Sequence, residues 1–326
     1  MKRITLFTTL VLMISTVLLS CKAEKKESQV SKEVLEKYNK EESTTETKPS
    51  KLASFNLKPI KPTNGKLKGV VELGASGFNS FIIDVDKDLN WEVKRKEFGT
   101  SLIAEGITNT TEVNTKLKSY IQGIIDFGVA PKDIHFVVSS GAAKEKVTTL
   151  VTKELKKIGY VVNTVTPEQE GTYALLSVLP KRFHSTAFVV DIGSGNTKIS
   201  YLEKNNSVIA LETYGAKYFQ KNISDNDVYT KVKETVAKVP SGRTLQCFMI
   251  GGVPYKLAKS IRKENERYTV LSTNVNDFKT VAEKEGQKVK CGLNIYKAIE
   301  DQTEVKKIIF DWDANFTIGF LLSETK

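Results

Sequence analysis

Apolar and polar positions divide the chain into three regimes. Residues 4–19 are apolar apart from small hydroxyl side chains, and residues 22–66 are rich in Lys, Glu, Ser and Thr with few apolar positions. From Gly69 onward, short apolar runs alternate with stretches of helical period. Residues 70–73 read as a strand entering a Gly/Ser turn, and residues 81–85 as the strand that returns. A helix is predicted over 111–127, with Leu117, Ile121 and Ile124 on one face and Gly128 at its stop. A buried strand over 135–140 and a helix over 144–158 follow. The helix carries Val147, Leu150, Val151, Leu155 and Ile158 at helical spacing, with Gly159 as its C-cap. Next come a strand over 160–165 and a helix reaching 178, with Thr166 at its N-cap position. The remainder predicts strands over 188–192, 198–202, 246–250 and 306–310. Helices near 227–239, 275–285 and 292–299, and one opening at Pro254, lie between them.

One pattern occurs twice. VVELGASGFNSFII, from Val70, and VVDIGSGNTKISYL, from Val189, share an apolar pair, an acid, an aliphatic, a glycine and a small polar turn. The copies stand about 120 positions apart, as an internal duplication would place them. Strand–turn–strand followed by alternating helix and strand, twice over, gives an α/β chain of two duplicated domains facing across a cleft.

Composition narrows the chemistry. A chain of 326 residues has the length for two domains. Three cysteines exclude a disulfide-stapled fold, and two histidines exclude a His-rich metal site. Cys247 and Cys291 lack CxxC spacing and read as buried thiols, although an oxidising compartment would permit a bond between them. With 49 Lys and Arg against 38 Asp and Glu, the formal charge is +11, which favours anionic partners. No stacking-aromatic platform or Arg-rich motif supports nucleic acid among them.

The first regime is an address. Lys2 and Arg3 precede an apolar stretch shorter than a membrane span, as in a secretory signal over residues 1–20. It ends in Leu18-Leu19-Ser20-Cys21, which resembles a bacterial lipobox. That resemblance implies cleavage before Cys21, its lipidation and a membrane anchorage outside the cytoplasm. Lys22 after the cysteine resembles outer-membrane lipoproteins of diderm bacteria. Residues 21–66 then form a flexible tether, residues 67–183 the first domain and residues 184–326 the second.

The doubled hairpin, together with Ile250-Gly251-Gly252, resembles the actin-like (ribonuclease H-like) ATPase superfamily. Within it the chain most resembles the exopolyphosphatase / guanosine pentaphosphate phosphatase family. Val138-Ser139-Ser140-Gly141-Ala142-Ala143, Thr166-Pro167-Glu168-Gln169-Glu170-Gly171 and Tyr214-Gly215-Ala216 fall in that family's order. The resemblance implies a phosphate-binding cleft, polyphosphate or a related anion as ligand, and Mg²⁺ as cofactor. A homodimer is compatible with it.

Phosphoanhydride hydrolysis needs a phosphate cradle, charge neutralisation and a positioned water. The cradle candidates are Gly74, Ser76, Gly77 and Asn79 in the first turn, and Gly193, Ser194, Gly195, Asn196, Thr197 and Lys198 in the second. Gly251 and Gly252 join them. Either turn alone also reads as a plain hairpin. Lys217 and Lys256 are further candidates for phosphate contacts. Asp191 takes the Mg²⁺ carboxylate role, with Glu72 in the corresponding place of the first repeat. Glu170 matches the family's water-activating glutamate, and it also reads as an acid favoured by a helix N-terminus. Three departures from the family pattern stand out: Glu72 replaces an aspartate, Ser194 a glycine, and Lys198 an acid. They leave two readings: a hydrolase, or a phosphate-binding module that has lost catalysis. A kinase or filament fits the fold but not an extracytoplasmic address, where ATP is scarce.

Overall fold

The computed structural model describes residues 55–74, 77–99 and 110–325. The signal segment, Cys21, the tether as far as residue 54 and Ser76 lie outside them.

The first sheet is built from β1 (Lys66–Gly74), β2 (Gly77–Val85), β3 (Trp91–Phe98), β4 (Ile134–Val138) and β5 (Val162–Thr164). α1 (Thr110–Asp126) and α2 (Lys146–Lys157) cover one face. Val71, Leu73 and Ile82 point into the core under these helices, whereas Val70, Phe81 and Ile83 point into a core on the other face. Burial on both faces explains why β1 and β2 read as near-continuous apolar runs.

The second sheet contains β6 (Ala187–Ile192), β7 (Asn196–Leu202), β8 (Val208–Tyr214), β9 (Gln246–Ile250), β10 (Tyr268–Leu271) and β11 (Lys307–Asp311). Its order β8-β7-β6-β9-β11 repeats β3-β2-β1-β4-β5, with β10 added antiparallel at the far edge. The duplication extends to register. Glu72 sits opposite Asn79 in the first hairpin and Asp191 opposite Lys198 in the second. α4 (Asp225–Val236), α5 (Gly252–Ile261), α6 (Lys279–Glu285) and α7 (Gln287–Thr303) cover the outer face over Phe188, Val190 and Met249.

Two helices hold the halves together. α3 (Pro167–Val178) packs against β6, β7 and β8, and α8 (Phe316–Ser323) packs against β1 and β2. Their side chains join Val70 and Val137 of the first sheet with Val189 and Phe248 of the second in a single core. The helices touch where Gly319 leaves no room for a side chain: a Cβ there would lie 1.8 Å from the Tyr173 carbonyl oxygen.

The end of the segment assigned to the tether behaves differently from its composition. Phe55 stacks edge-on against Phe248 and Tyr268, and Leu57 packs on the same core. Two apolar side chains suffice to dock this stretch despite its polar surroundings. Cys247 and Cys291 are both free and buried.

Candidate functional site

α3 begins as its sequence dictates. Thr166 Oγ1 accepts from Gln169 N at 3.2 Å, and Gln169 Oε1 accepts from Thr166 N at 3.0 Å, a reciprocal cap with Pro167 in the first turn. The next turn carries Glu170 and Gly171. A Cβ on Gly171 would come within 2.9 Å of the Ala210 Cβ, so glycine lets the helix lie against β8 and bring Glu170 over β7.

There Glu170 meets Lys198. The two side chains form an ion pair through Glu170 Oε1, each only 4% exposed. Glu170 Oε2 accepts from Ser140 N at 3.0 Å and from the Ser140 hydroxyl. Ser140 lies in the turn after β4, so the family-ordered Ser139-Ser140-Gly141 segment reaches Glu170 from the end of the first sheet. Both carboxylate oxygens are thereby engaged. A charge this deeply buried is tolerated because it is paired and hydrogen-bonded.

The second hairpin turn is tied to the same point. Asn196 Nδ2 donates to Ser140 Oγ at 3.1 Å and to Glu212 Oε1 at 2.6 Å. Gly195 and Gly141 meet backbone to backbone: a Cβ on Gly195 would lie 3.2 Å from the Gly141 Cα. Gly251, at φ +103°, passes Asp191 so closely that a Cβ would lie 2.6 Å from Asp191 Oδ1. Only a residue without a side chain satisfies both its left-handed conformation and this approach.

Glu72 occupies the opposite wall. Asn79 Nδ2, at 2.9 Å, and Asn315 Nδ2, at 3.2 Å, both donate to its Oε2. Asn315 is itself fixed as the N-cap of α8, its Oδ1 accepting from Thr317 N at 2.8 Å. Burial pushes the Glu72 carboxyl up to about 7; the two amides oppose this, while the Glu170 and Asp191 charges add to it. Burial also raises Asp191, against the attraction of Lys198.

These groups surround a cavity of about 350 Å³. Glu72, Gly74, Asn79, Glu170 and Asp191 line it, as do Gly193, Ser194, Gly195, Asn196 and Lys198 of the second turn and the Gly251-Gly252 pair. Gly77 faces Gly74 across the first turn; Ser76 lies outside the described residues. Thr197 is a correction. It is fully buried under the second sheet, because the pleat that turns Asn196 and Lys198 to the cleft turns the intervening side chain away.

The sequence reading missed Ser140, Glu212, Asn315 and Lys288, and an aromatic wall of Phe98, Tyr255 and Trp312. Only Ser140 carried a signal, its place in a family-ordered segment. Lys256 is paired with Glu285 at 2.9 Å. The Lys288 ammonium is pushed down by burial and by the charges of Lys217 and Lys256.

The donor set does not fit the Mg²⁺ that the resemblance implies. Among the described residues no three His, Cys, Asp or Glu side chains are grouped to hold a metal. Glu170 is committed to Lys198 and Ser140, and one Glu72 oxygen to two amides. Asp191 remains, with the Lys198 ammonium on the neighbouring strand to repel a second cation.

No family model and no curated protein matches the chain. Solved structures do. The crystal structure of the Aquifex aeolicus member of the Ppx/GppA family superposes with a TM-score of 0.61 at 20% identity. The match covers 79% of this chain and 97% of that one. An exopolyphosphatase from Cytophaga hutchinsonii gives a TM-score of 0.61 at 14% identity, over 80% of this chain and 98% of that one. The chain therefore has the two-domain actin-like fold of those proteins.

Proposed function

We propose that the cleft binds phosphate-rich anions and hydrolyses their phosphoanhydride bonds, with polyphosphate or a related compound as the substrate class. The observation that carries this reading is the convergence of both hairpin turns and Gly251 on one cavity walled by Asp191, Glu170 and Glu72. Gly193 closes the second turn by donating its N–H to the Asn196 carbonyl oxygen at 3.1 Å; the glycine-rich backbone of that turn is suited to approach phosphate oxygens, and Glu170 is the carboxylate that takes the proton from water. Glu170 can do so only when Lys198 leaves its Oε1 for a ligand oxygen, which couples activation of the base to occupancy of the cleft. The fold shared with an exopolyphosphatase supports the reading.

One observation favours a second reading, a phosphate-binding module without turnover: both oxygens of Glu170 are engaged. Phosphate release from polyphosphate and from tripolyphosphate, measured beside thermal stabilisation by the same compounds, separates the two. Hydrolysis predicts release by the wild type, reduced about 10²–10⁴-fold in Glu170→Gln when assayed below that variant's unfolding temperature. Stabilisation with no release establishes the binding module instead.

The address completes the proposal. Lipidation of Cys21 anchors the body at a membrane outside the cytoplasm. Membrane fractionation tests this: the Cys21→Ser protein is expected in the soluble fraction and the wild type in the membrane pellet. Equal partitioning of both proteins would remove the anchor from the reading.

A further inference from the structure

We propose that Lys198 is a built-in cation of the cleft, its ammonium meeting ligand phosphate in place of a divalent metal ion. This rests on the reading of the cleft as a phosphate site.

Placement comes first. Register sets Lys198 directly opposite Asp191 on the adjacent strand, and its side chain crosses to Glu170. The ammonium thus lies among the two carboxylates to which the resemblance assigns metal and base. A lysine there supplies permanently what a bound ion would supply on loading, a positive charge held within a low-dielectric wall.

Its remaining valence comes second. A lysine ammonium has three N–H donors. Among the described residues, Glu170 Oε1 is the one acceptor that Lys198 has. The side chain nevertheless lines the cavity, so the other donors are available to a ligand on that side.

The loop above it comes third. A Cβ on Gly193 would lie 3.6 Å from the Lys198 Nζ and 2.7 Å from the Asn196 carbonyl oxygen. Glycine sets the buried ammonium beside the turn whose backbone would hold the same phosphate, with no Gly193 side chain between them. The first repeat shows the contrast: Asn79 stands at the matching position, is neutral, and is spent on Glu72. Only the second turn carries the cation.

The test has a phosphate arm and a metal arm, on the folded chain treated with EDTA and then dialysed. In the phosphate arm, tripolyphosphate is titrated calorimetrically without divalent metal. Wild type is expected to bind, and Lys198→Met to bind at least about tenfold more weakly, the loss expected for a charged hydrogen bond. In the metal arm, Mn²⁺ alone is titrated. Wild type is expected to show no site, whereas Lys198→Glu, which adds an acid beside Asp191 and Glu170, is expected to gain one and to melt higher with Mn²⁺. Lys198→Gln serves as the neutral control and should gain no Mn²⁺ site.

The proposal is overturned by a wild-type Mn²⁺ site that Asp191→Asn abolishes, or by Lys198→Met binding tripolyphosphate as tightly as wild type. It is equally overturned if folded Lys198→Glu gains no Mn²⁺ binding. Should no phosphate compound bind the wild type, with or without metal, the phosphate reading of the cleft fails and takes the ligand role of Lys198 with it. The metal arm still decides whether the ammonium occupies a cation position.

Discussion

Glu170→Gln is expected to destabilise the protein by about 3–5 kcal/mol, the cost of stranding a buried charge after removing its partner. The substitution keeps the shape of the side chain and removes only its charge. Lys198 then remains beneath the second turn without its hydrogen-bonded anion, only Asp191 on the neighbouring strand attracting it, inside a wall where each side chain of the pair is 4% exposed. The new amide also has one oxygen where the carboxylate had two. Its nitrogen must therefore face either Lys198 or Ser140, both of which are donors. Urea unfolding reads the effect as a lower midpoint at unchanged slope. Adding Lys198→Met to Glu170→Gln removes the stranded charge and is expected to recover at least half of the loss, so the two substitutions are strongly non-additive. A loss below about 1 kcal/mol in the single variant would show that solvent reaches the pair.

The second large effect is a dependence on pH that one substitution removes. Glu72 is raised from 4.5 to about 7. A carboxyl raised in the folded state keeps its proton there after the unfolded chain has released it. Its penalty is therefore absent below the unfolded value, grows as pH climbs between the two values, and is complete above the folded one. A shift of this size corresponds to about 3 kcal/mol at full expression. Glu72→Gln stays neutral throughout, and its amide oxygen still accepts from Asn79 and Asn315. The variant is thus expected to match the wild type near pH 4 and to exceed it by about 2–3 kcal/mol near pH 8. Unfolding midpoints across this range check it. The same offset at both ends of the range would mean that packing, and not ionisation, separates the two proteins.

The parts of the fold that could be read in the sequence were those whose local chemistry is unambiguous. The acid–aliphatic–glycine pattern identified both hairpins, because a turn flanked by strands buried on both faces leaves few other solutions. Thr166 identified the start of α3 for the same reason. Other elements lacked such a signature. β3 is Trp-Glu-Val-Lys-Arg-Lys-Glu-Phe, an edge strand whose charged side chains are held by ion pairs such as Lys96 to Asp313 at 2.8 Å, and apolar periodicity passes over it. α8 is almost wholly apolar because α3 and the first sheet bury it, so it has no period to detect.

The candidate site divides along the same line. The glycine turns and acids were found by motif. The pairing of Glu170 with Lys198 was not, because the two lie 28 positions apart and are joined only by the packing of α3 on β7. Sequence showed an acid replaced by lysine; only the fold showed which acid answers it. Thr197 was drawn into the site by the opposite error, since a contiguous motif ignores the alternation of the strand that carries it.

The core shared by α3 and α8 has a consequence for how the chain is made. The first sheet is complete in sequence by Thr164, but the helix that covers β1 and β2 ends at Ser323. Synthesis runs from the N-terminus, so Val70, Phe81 and Ile83 emerge long before Ile318 and Leu321 arrive to cover them. The nascent first half carries an uncovered apolar face until the whole second sheet has been made, and α8 then closes it.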